Sequence, residues 1–274
     1  MLVRLFAPIV GLGFVAALLL AILFTSHDAE QRNVVEEFHL APRSIDYASD
    51  GPLGHFDRQQ LQRGFQVYKE VCAACHSLRL VHFRDLEEIG FTKPEVKALA
   101  KGWQIEQPSI NPDTGEAATR KNLPSDPIPW TYANEVAARA GNNNALPPDL
   151  SLITKAREGG APYVDSLLTG YRPMPANLPA ANRPAPNLHY NPYFANLNIA
   201  MPPPLTAEGQ VTYADGTRPT VAQMAQDVSA FLVWTAEPKL EARHRTGIAV
   251  LIFLLIATGL AYGAYRNIWA DKKH

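Results

Sequence analysis

Two cysteines and the histidine beside them, Cys72, Cys75 and His76, form the cluster whose residue types and spacing indicate a specific chemistry. In a Cys-x-x-Cys-His run the two thiols can add across the two vinyl groups of one haem, while the imidazole binds the iron. A dithiol redox pair would open a helix in a βαβ unit, and zinc would need further ligands, yet the chain has no other cysteine. The motif therefore predicts one covalently bound haem c and an electron carrier.

The iron of such a site needs a second axial ligand. A methionine sulfur is usual in a c-type centre of high potential, because a soft thioether favours ferrous iron. The chain has four methionines: Met1, Met174, Met201 and Met224. Met1 belongs to the N-terminal export segment described below. Met224 lies on the apolar stripe of a predicted helix, where core packing explains it. The other two lie in stiff, proline-flanked loops, and spacing favours neither. A bis-histidine site using His82 or His189 is an alternative.

Charge and composition restrict the partners. The 274 residues suit one compact domain with attached segments, and the formal net charge of -1, without a Lys/Arg-rich run, predicts that nucleic acid is not a partner. Between Asp28 and Arg245 there are 25 acidic and 21 basic side chains, which favours a cationic partner. The run Asp85, Glu87 and Glu88 follows the haem motif and is a candidate docking patch, although a solvated helix face explains it equally well.

A C-terminal stretch predicts a membrane anchor in contact with lipid. The 20 residues from Thr246 to Tyr265 carry no charge, and a helix of that length crosses about 30 Å of hydrocarbon. We place the transmembrane helix at 246–266 and a short cytoplasmic tail at 267–274, where a tryptophan and lysines lie next to the span. The basic run 243–245 on the other flank opposes this orientation. It is retained because haem attachment in bacteria takes place on the outer face of the membrane.

The N-terminus predicts export of the middle of the chain. Arg4 precedes an apolar run from Leu5 to Thr25, and no small-x-small cleavage site stands out after it. Residues 1–27 are therefore either a cleaved export signal or an uncleaved signal anchor. Residues 28–245 form the predicted periplasmic cytochrome c domain, on the outer side of a bacterial inner membrane.

The predicted fold is mostly α, because apolar residues recur at helical spacing and no convincing period-two alternation appears. Asp57 with Gln60 is a start signal for a helix that carries Leu61, Phe65, Tyr68 and Cys72 on one face. A second start signal is Thr92 with Glu95. Further helices are predicted at 134–140, 149–158, 162–168 and 220–236. Of the 23 prolines, 19 lie between Pro94 and Pro219, which predicts long loops around a prosthetic group.

Four segments resemble the cytochrome c1 family, the haem subunit of the quinol:cytochrome c oxidoreductase, or bc1 complex. They are RGFQVYKEVCAACHSL (63–78), AARAGNNNALPPDLSLITKAREGGAPYVDSLLTGY (137–171), YNPYFANLNIAMPPPL (190–205) and DVSAFLVWTAEP (227–238). The haem motif is common to all c-type cytochromes, but ALPPDLS, SLLTGY and a methionine before a proline-rich turn are specific. Segment 102–129 matches the family poorly.

The resemblance implies a ligand set. Cys72 and Cys75 would form the thioether bonds, His76 would be the fifth iron ligand and Met201 the sixth. Arg120, in TRKNLPSD, would take the place of a family arginine that pairs with a haem propionate, since a guanidinium fork suits a carboxylate.

The resemblance also implies a function and partners. As a subunit of quinol–cytochrome c reductase, the chain would receive electrons from the Rieske iron-sulfur protein, next to cytochrome b. It would pass them to a soluble or tethered cytochrome c. The chain alone is then an electron carrier. The alternatives are a membrane-anchored c-type cytochrome serving a terminal oxidase, a haem enzyme with an open iron position and a mainly structural membrane subunit.

Overall fold

The computed structural model describes residues 2–24 and 34–272, which divide into two compact units between Phe38 and His39. The first unit contains helix α1 (Leu2–Phe24), with Pro8 inside it, and the short helix α2 (Val34–Phe38). The predicted boundary at residues 27 and 28 lies outside the described residues.

The second unit is mostly helical, as predicted. Its helices are α3 (Arg58–Glu70), α4 (Lys93–Gly102), α5 (Glu135–Gly141), α6 (Ile153–Ala156), α7 (Gly160–Thr169), α8 (Val221–Ala236) and α9 (Leu240–Trp269). Short 3₁₀ turns span Cys72–Ala74, Phe83–Ile89 and Ala180–Asn182. Proline-rich loops connect these elements, and the main core lies between α3, α7 and α8.

Helix α3 begins where its cap predicts. The carboxylate of Asp57 accepts hydrogen bonds from the backbone N–H groups of Gln59 and Gln60, which otherwise lack intrahelical partners. The prediction that this helix extends to Cys72 and carries it on the same face as Leu61, Phe65 and Tyr68 is wrong. The α-helix ends at Glu70, and Cys72 opens the tighter 3₁₀ turn that follows.

The other helix signals in the sequence predict where a helix begins better than how long it is. Thr92 and Glu95 form a capping box on α4, and Asn134 caps α5. The helix predicted at 149–158 is reduced to α6, because Asp149 and Ser151 are engaged in contacts with residues 77–80. These contacts hold the segment in a non-helical conformation.

Gly64 lies where α3 and α8 cross. A Cβ atom there would lie 2.1 Å from the carbonyl oxygen of Asp227 and 2.6 Å from Cβ of Phe231. Next to the crossing, the Arg63 guanidinium binds the fully buried Asp227 carboxylate through Nε at 2.9 Å and Nη2 at 3.2 Å. Helix α7 packs against α8 as well, so the three helices form one stack.

The described residues include three two-stranded antiparallel sheets, which were not predicted. They pair β1 (Leu78–His82) with β4 (Pro127–Ile128), β2 (Gln107–Ile110) with β3 (Ala117–Arg120), and β5 (His189–Tyr190) with β6 (Asn198–Ile199). In register, Leu78 faces Ile128, Gln107 faces Arg120 and His189 faces Ile199. Strands of two to five residues are too short to show an alternation in the sequence.

Helix α9 is longer than the predicted span of 246–266. Its 30 residues, with a mean hydropathy of 2.2 over the most apolar window, make it the one membrane-span candidate among the described residues. The helix begins inside the folded part of the second unit, before the apolar stretch. There the Glu241 carboxylate accepts hydrogen bonds from the Arg58 guanidinium at 2.5 and 2.6 Å and from the N–H of Phe56 at 2.7 Å. The predicted anchor therefore continues from the folded domain without a break in the helix.

Candidate haem site

The haem motif forms a single tight turn at the end of α3. The N–H groups of Cys75 and His76 both donate to the carbonyl oxygen of Cys72, at 3.1 and 2.9 Å. This turn brings the two thiols and the imidazole together within five residues. Both cysteines are half-buried.

Side chains from distant segments hold the turn in place. The indole N–H of Trp130 donates to the carbonyl of Cys75 at 2.9 Å, and the hydroxyl of Thr131 donates to that of Ala73 at 2.7 Å. From α3, the Tyr68 hydroxyl donates to the carbonyl of His76 at 2.9 Å. Carbonyl groups that the tight turn leaves without backbone partners are satisfied in this way.

The His76 ring is oriented by a backbone carbonyl. Its Nδ1 lies 2.8 Å from the carbonyl oxygen of Pro148, which can only accept, so Nδ1 carries the proton and Nε2 is the nitrogen left to bind iron. Burial lowers the pKa of His76, although Pro148 and Asp149 oppose that shift. The neutral ring is the form that can act as a metal ligand.

Asp149 fastens the loop that carries Pro148. Its carboxylate accepts hydrogen bonds from the Ser77 hydroxyl at 2.7 Å, the Arg79 N–H at 2.9 Å and the Ser151 N–H at 3.0 Å. Burial by itself would raise the pKa of Asp149, but these hydrogen bonds lower it. Asp149 was not predicted as a site residue; the only signal was its position after two prolines in the ALPPDLS motif.

The Cys72 thiol is not activated in the way that a redox dithiol requires. Burial, together with Cys75, raises the pKa of Cys72 to about 12, whereas a reactive dithiol needs a lowered pKa. Within the described part of the chain, no group of three or more His, Cys, Asp or Glu side chains is arranged to hold a metal ion. The raised pKa of Cys72 therefore disfavours the dithiol alternative.

The methionines occupy different environments. Met201 is half-buried against the main core, as is Cys72, and it follows the β5–β6 hairpin by two residues. Its carbonyl oxygen accepts a hydrogen bond from the Tyr171 hydroxyl at 3.0 Å. Burial raises the pKa of Tyr171, so this hydroxyl stays protonated at neutral pH. Met174 is 43% exposed, and Met224 is fully buried in α8.

The two alternative histidine ligands have partners of their own. Nδ1 of His82 lies 3.5 Å from the Asp85 carboxylate. His189, in β5, packs edge-to-face against Tyr171 with ring centroids 6.5 Å apart. Both residues are half-buried, and each has a local structural explanation.

Arg120 lies at the end of β3 and makes an ion pair within the protein. Its guanidinium binds Asp126 in a two-pronged contact of 2.5 and 2.9 Å, and this hydrogen bonding lowers the pKa of Asp126. Asp126 also accepts the N–H of Leu123 at 2.7 Å and precedes β4, which pairs with β1. The sequence did not predict this partner for Arg120.

Comparison with known proteins identifies the family. The profile of the Cytochrome C1 family matches residues 47–272. The chain belongs to the cytochrome c1 family. It is 43% identical over 241 residues to cytochrome c1 of Rhodospirillum rubrum, covering 84% of this chain and 88% of that protein. A mitochondrial cytochrome c1 heme protein of Arabidopsis thaliana is 47% identical over 225 residues, covering 82% of this chain and 71% of that protein.

A longer relative is the Bradyrhizobium diazoefficiens protein named cytochrome b/c1. It is 44% identical over 246 residues, which cover 81% of this chain and 34% of that protein. This chain thus spans about a third of that relative's length.

Membership in the cytochrome c1 family establishes the class of cofactor and activity. Proteins of this family are the haem electron-transfer subunits of the bc1 complex, and the chain is an electron carrier with one covalently bound haem c. The bc1 complex is an oxidoreductase, of which this chain is a component. The apolar helix α9 fits a membrane anchor.

Proposed function

We propose that the chain accepts single electrons from the Rieske iron-sulfur protein and delivers them to a soluble or tethered cytochrome c. When bound, the haem supplies a one-electron couple at its iron. In this proposal Cys72 and Cys75 would form the thioether bonds, and His76 and Met201 would be the two protein ligands of the iron.

The arrangement of the haem turn carries this proposal. Both thiols and Nε2 of His76 belong to one turn, which Trp130, Thr131 and Tyr68 hold through its carbonyl groups. In this proposal the thioether bonds use both thiols and the iron uses the imidazole, so the turn keeps no free nucleophile or base for bond-breaking chemistry. Its side chains hold and orient a prosthetic group, as expected of an electron carrier.

The sixth ligand is supported by packing. Met201 is half-buried against the same core as Cys72, whereas Met174 is 43% exposed and Met224 is fully buried. A ligand that binds iron inside a protein needs a rigid, partly buried support. Met201 meets this requirement better than the other two methionines.

Arg120 is proposed to pair with a haem propionate. Since its guanidinium already binds Asp126 in two places, a propionate would have to share the guanidinium with that carboxylate or replace it. An arginine presents five N–H donors, so sharing is chemically feasible.

The proposed partners and location follow from the family and from the distribution of charge. Cytochrome b is supported by the Bradyrhizobium relative, whose name joins cytochrome b to c1. We place the haem domain on the periplasmic side of a bacterial inner membrane, anchored by α9. The basic residues Arg266 and Lys272 after the apolar stretch support this orientation.

Removal of the thiols tests the cofactor role. The double variant Cys72→Ala, Cys75→Ala should lose all haem staining after denaturing electrophoresis, because no other cysteine can form a thioether. Ala74→Ser, an exposed change inside the motif, should keep normal staining and serves as the matched control. Covalent haem retained by the double variant would refute the assignment.

Purification of the tagged chain from membranes tests the functional setting. We expect cytochrome b and a Rieske protein to co-purify. Added quinol should reduce the c-type haem, which is seen as the absorption band of the ferrous form. Co-purification with a terminal oxidase instead would support the alternative carrier.

A further inference from the structure

The three residues that follow Met201 offer no backbone N–H donor to hold the segment in place. Pro202, Pro203 and Pro204 have no backbone N–H, so three successive positions cannot donate hydrogen bonds to the fold. The Tyr171 hydroxyl supplies a donor from outside, bonding to the carbonyl oxygen of Met201 at 3.0 Å across 30 residues of chain. Tyr171 therefore restrains the backbone of the proposed iron ligand itself.

Tyr171 is itself attached to a firm support. It directly follows Gly170, at the end of α7, where the chain runs very close to the loop after β5. A Cβ atom at Gly170 would lie 2.4 Å from the Tyr193 ring and 2.9 Å from Oδ1 of Asn191. The fully buried Asn191 donates to the carbonyl of Leu167 in α7 at 2.7 Å. The end of α7 and the β5–β6 hairpin thus form one packed unit.

The hairpin before Met201 is itself held in an uncommon conformation. Leu197 is fully buried and has a φ of 67°, a left-handed value that costs energy for a side chain of this size. Its carbonyl accepts the N–H of Asn191 at 2.8 Å. Tertiary contacts therefore fix the direction in which the chain leaves the hairpin towards Met201.

We propose that Tyr171 is a positioning residue whose hydroxyl keeps the Met201 backbone in place so that the sulfur remains on the iron. The inference rests on the proposed role of Met201 as sixth ligand. Helix α7 packs on α8, and α8 packs on α3, which leads into the haem turn. Through this stack, Tyr171 connects the methionine side of the site to the element that carries the cysteines.

Tyr171→Phe in the full haem-loaded chain tests the proposal, since it removes only the hydroxyl. Loss of one hydrogen bond should lower the equilibrium constant for binding of the methionine sulfur to the iron by about two- to tenfold. We expect a matching increase in carbon monoxide binding to the ferrous haem, a weaker sulfur-to-iron charge-transfer band in the ferric protein and a lower potential. Tyr190→Phe, a buried tyrosine in β5, is the matched control and should behave like the parent.

A Met201→Leu arm separates failure of this inference from failure of the ligand assignment. If Met201→Leu keeps the charge-transfer band, Met201 is not the ligand and both proposals fail. If Met201→Leu loses the band while Tyr171→Phe matches the parent in band, potential and carbon monoxide binding, the positioning role of Tyr171 is refuted and the ligand assignment stands.

A second pair of variants covers the case in which Tyr171→Phe incorporates too little haem. Tyr171→His keeps a ring with an N–H donor, whereas Tyr171→Leu has neither. Weaker carbon monoxide binding by Tyr171→His than by Tyr171→Leu would support a role for the hydrogen-bond donor at position 171. Equal binding by the two variants would contradict it.

Discussion

At the scale of single residues, the chemistry of the site depends on how each proposed iron ligand is supported. The Pro148 carbonyl orients His76, and the Asp149 carboxylate ties the Pro148 loop to Ser77 and Arg79. Such outer hydrogen bonds make an imidazole a stronger donor to the metal. Met201 is supported instead through its own backbone, which leaves its side chain to packing.

Substitution of the two loop methionines tests the ligand assignment. Met201→Leu should abolish the charge-transfer band of the oxidised protein and lower the potential, because leucine has a similar size but no sulfur to stabilise ferrous iron. Met174→Leu, at a 43% exposed position, should leave both properties close to those of the parent. Optical spectra and redox titration measure both. The reverse pattern would transfer the ligand role to Met174.

At the scale of elements, the site depends on the packing of three helices. Helix α3 delivers the haem turn, α8 crosses it at Gly64, and α7 leads to Tyr171 on the methionine side. The buried ion pair of Arg63 and Asp227 lies next to the crossing, with Arg63 also bound to Asp215 at 2.7 Å. A change that separates α3 from α8 should therefore affect both stability and the haem.

Gly64→Ala should destabilise the haem domain. Alanine favours a helix over glycine by about 1 kcal/mol, but a Cβ atom 2.1 Å from the Asp227 carbonyl oxygen would force the helices apart. Overpacking of this kind typically costs about 1–3 kcal/mol, so we expect a net loss of stability and a lower Tm. Denaturant unfolding followed by circular dichroism provides the measurement.

Gly102→Ala is the control for this prediction. Gly102 is the last residue of α4, and a Cβ atom there meets nothing within 4 Å, so stability should be unchanged or slightly higher. If Gly64→Ala proves as stable as Gly102→Ala, the close helix crossing is not a constraint on the fold.

At the scale of the whole molecule, negative charge is spread over the haem domain. Of the candidate acidic run, Asp85 accepts the N–H of His82 at 2.8 Å as a cap, and Glu88 pairs with Lys239 at 3.1 Å. Glu87 is exposed. Two of the three carboxylates thus have structural partners, and the net charge of the domain remains the stronger argument for a cationic electron acceptor.

Electron transfer to a cationic soluble cytochrome c should slow as salt is added. At physiological ionic strength charges are screened beyond about 8 Å, which weakens the attraction between an acidic domain and a basic partner. Stopped-flow oxidation of the reduced complex over a salt series measures this effect. Reduction by the Rieske protein, inside the complex, should depend less on salt.

Glu87→Gln tests whether the run near the haem motif contributes to docking. A smaller salt dependence in this variant would place Glu87 at the docking surface, whereas an unchanged one would support the solvated-face interpretation. A parent rate that is flat or rises with salt would contradict electrostatic steering altogether.

Much of this protein's chemistry is readable from the sequence because it depends on residues close together in the chain. The haem motif occupies five residues, the caps at Asp57 and Thr92 act within three, and the anchor is a continuous apolar run. Covalent spacing and helical periodicity suffice for these features. The family resemblance carried by the longer segments was confirmed by the match to cytochrome c1.

Tertiary structure alone decided which distant groups meet. The Pro148 carbonyl reaches His76 across 72 residues, and Trp130 reaches Cys75 across 55. It also shortened the helix predicted at 149–158, because Asp149 bonds to Ser77 across 72 residues. Such contacts result from the packing of α3, α7 and α8 and the course of the proline-rich loops. No local pattern encodes them, since their energies depend on burial and on partners far apart in the chain.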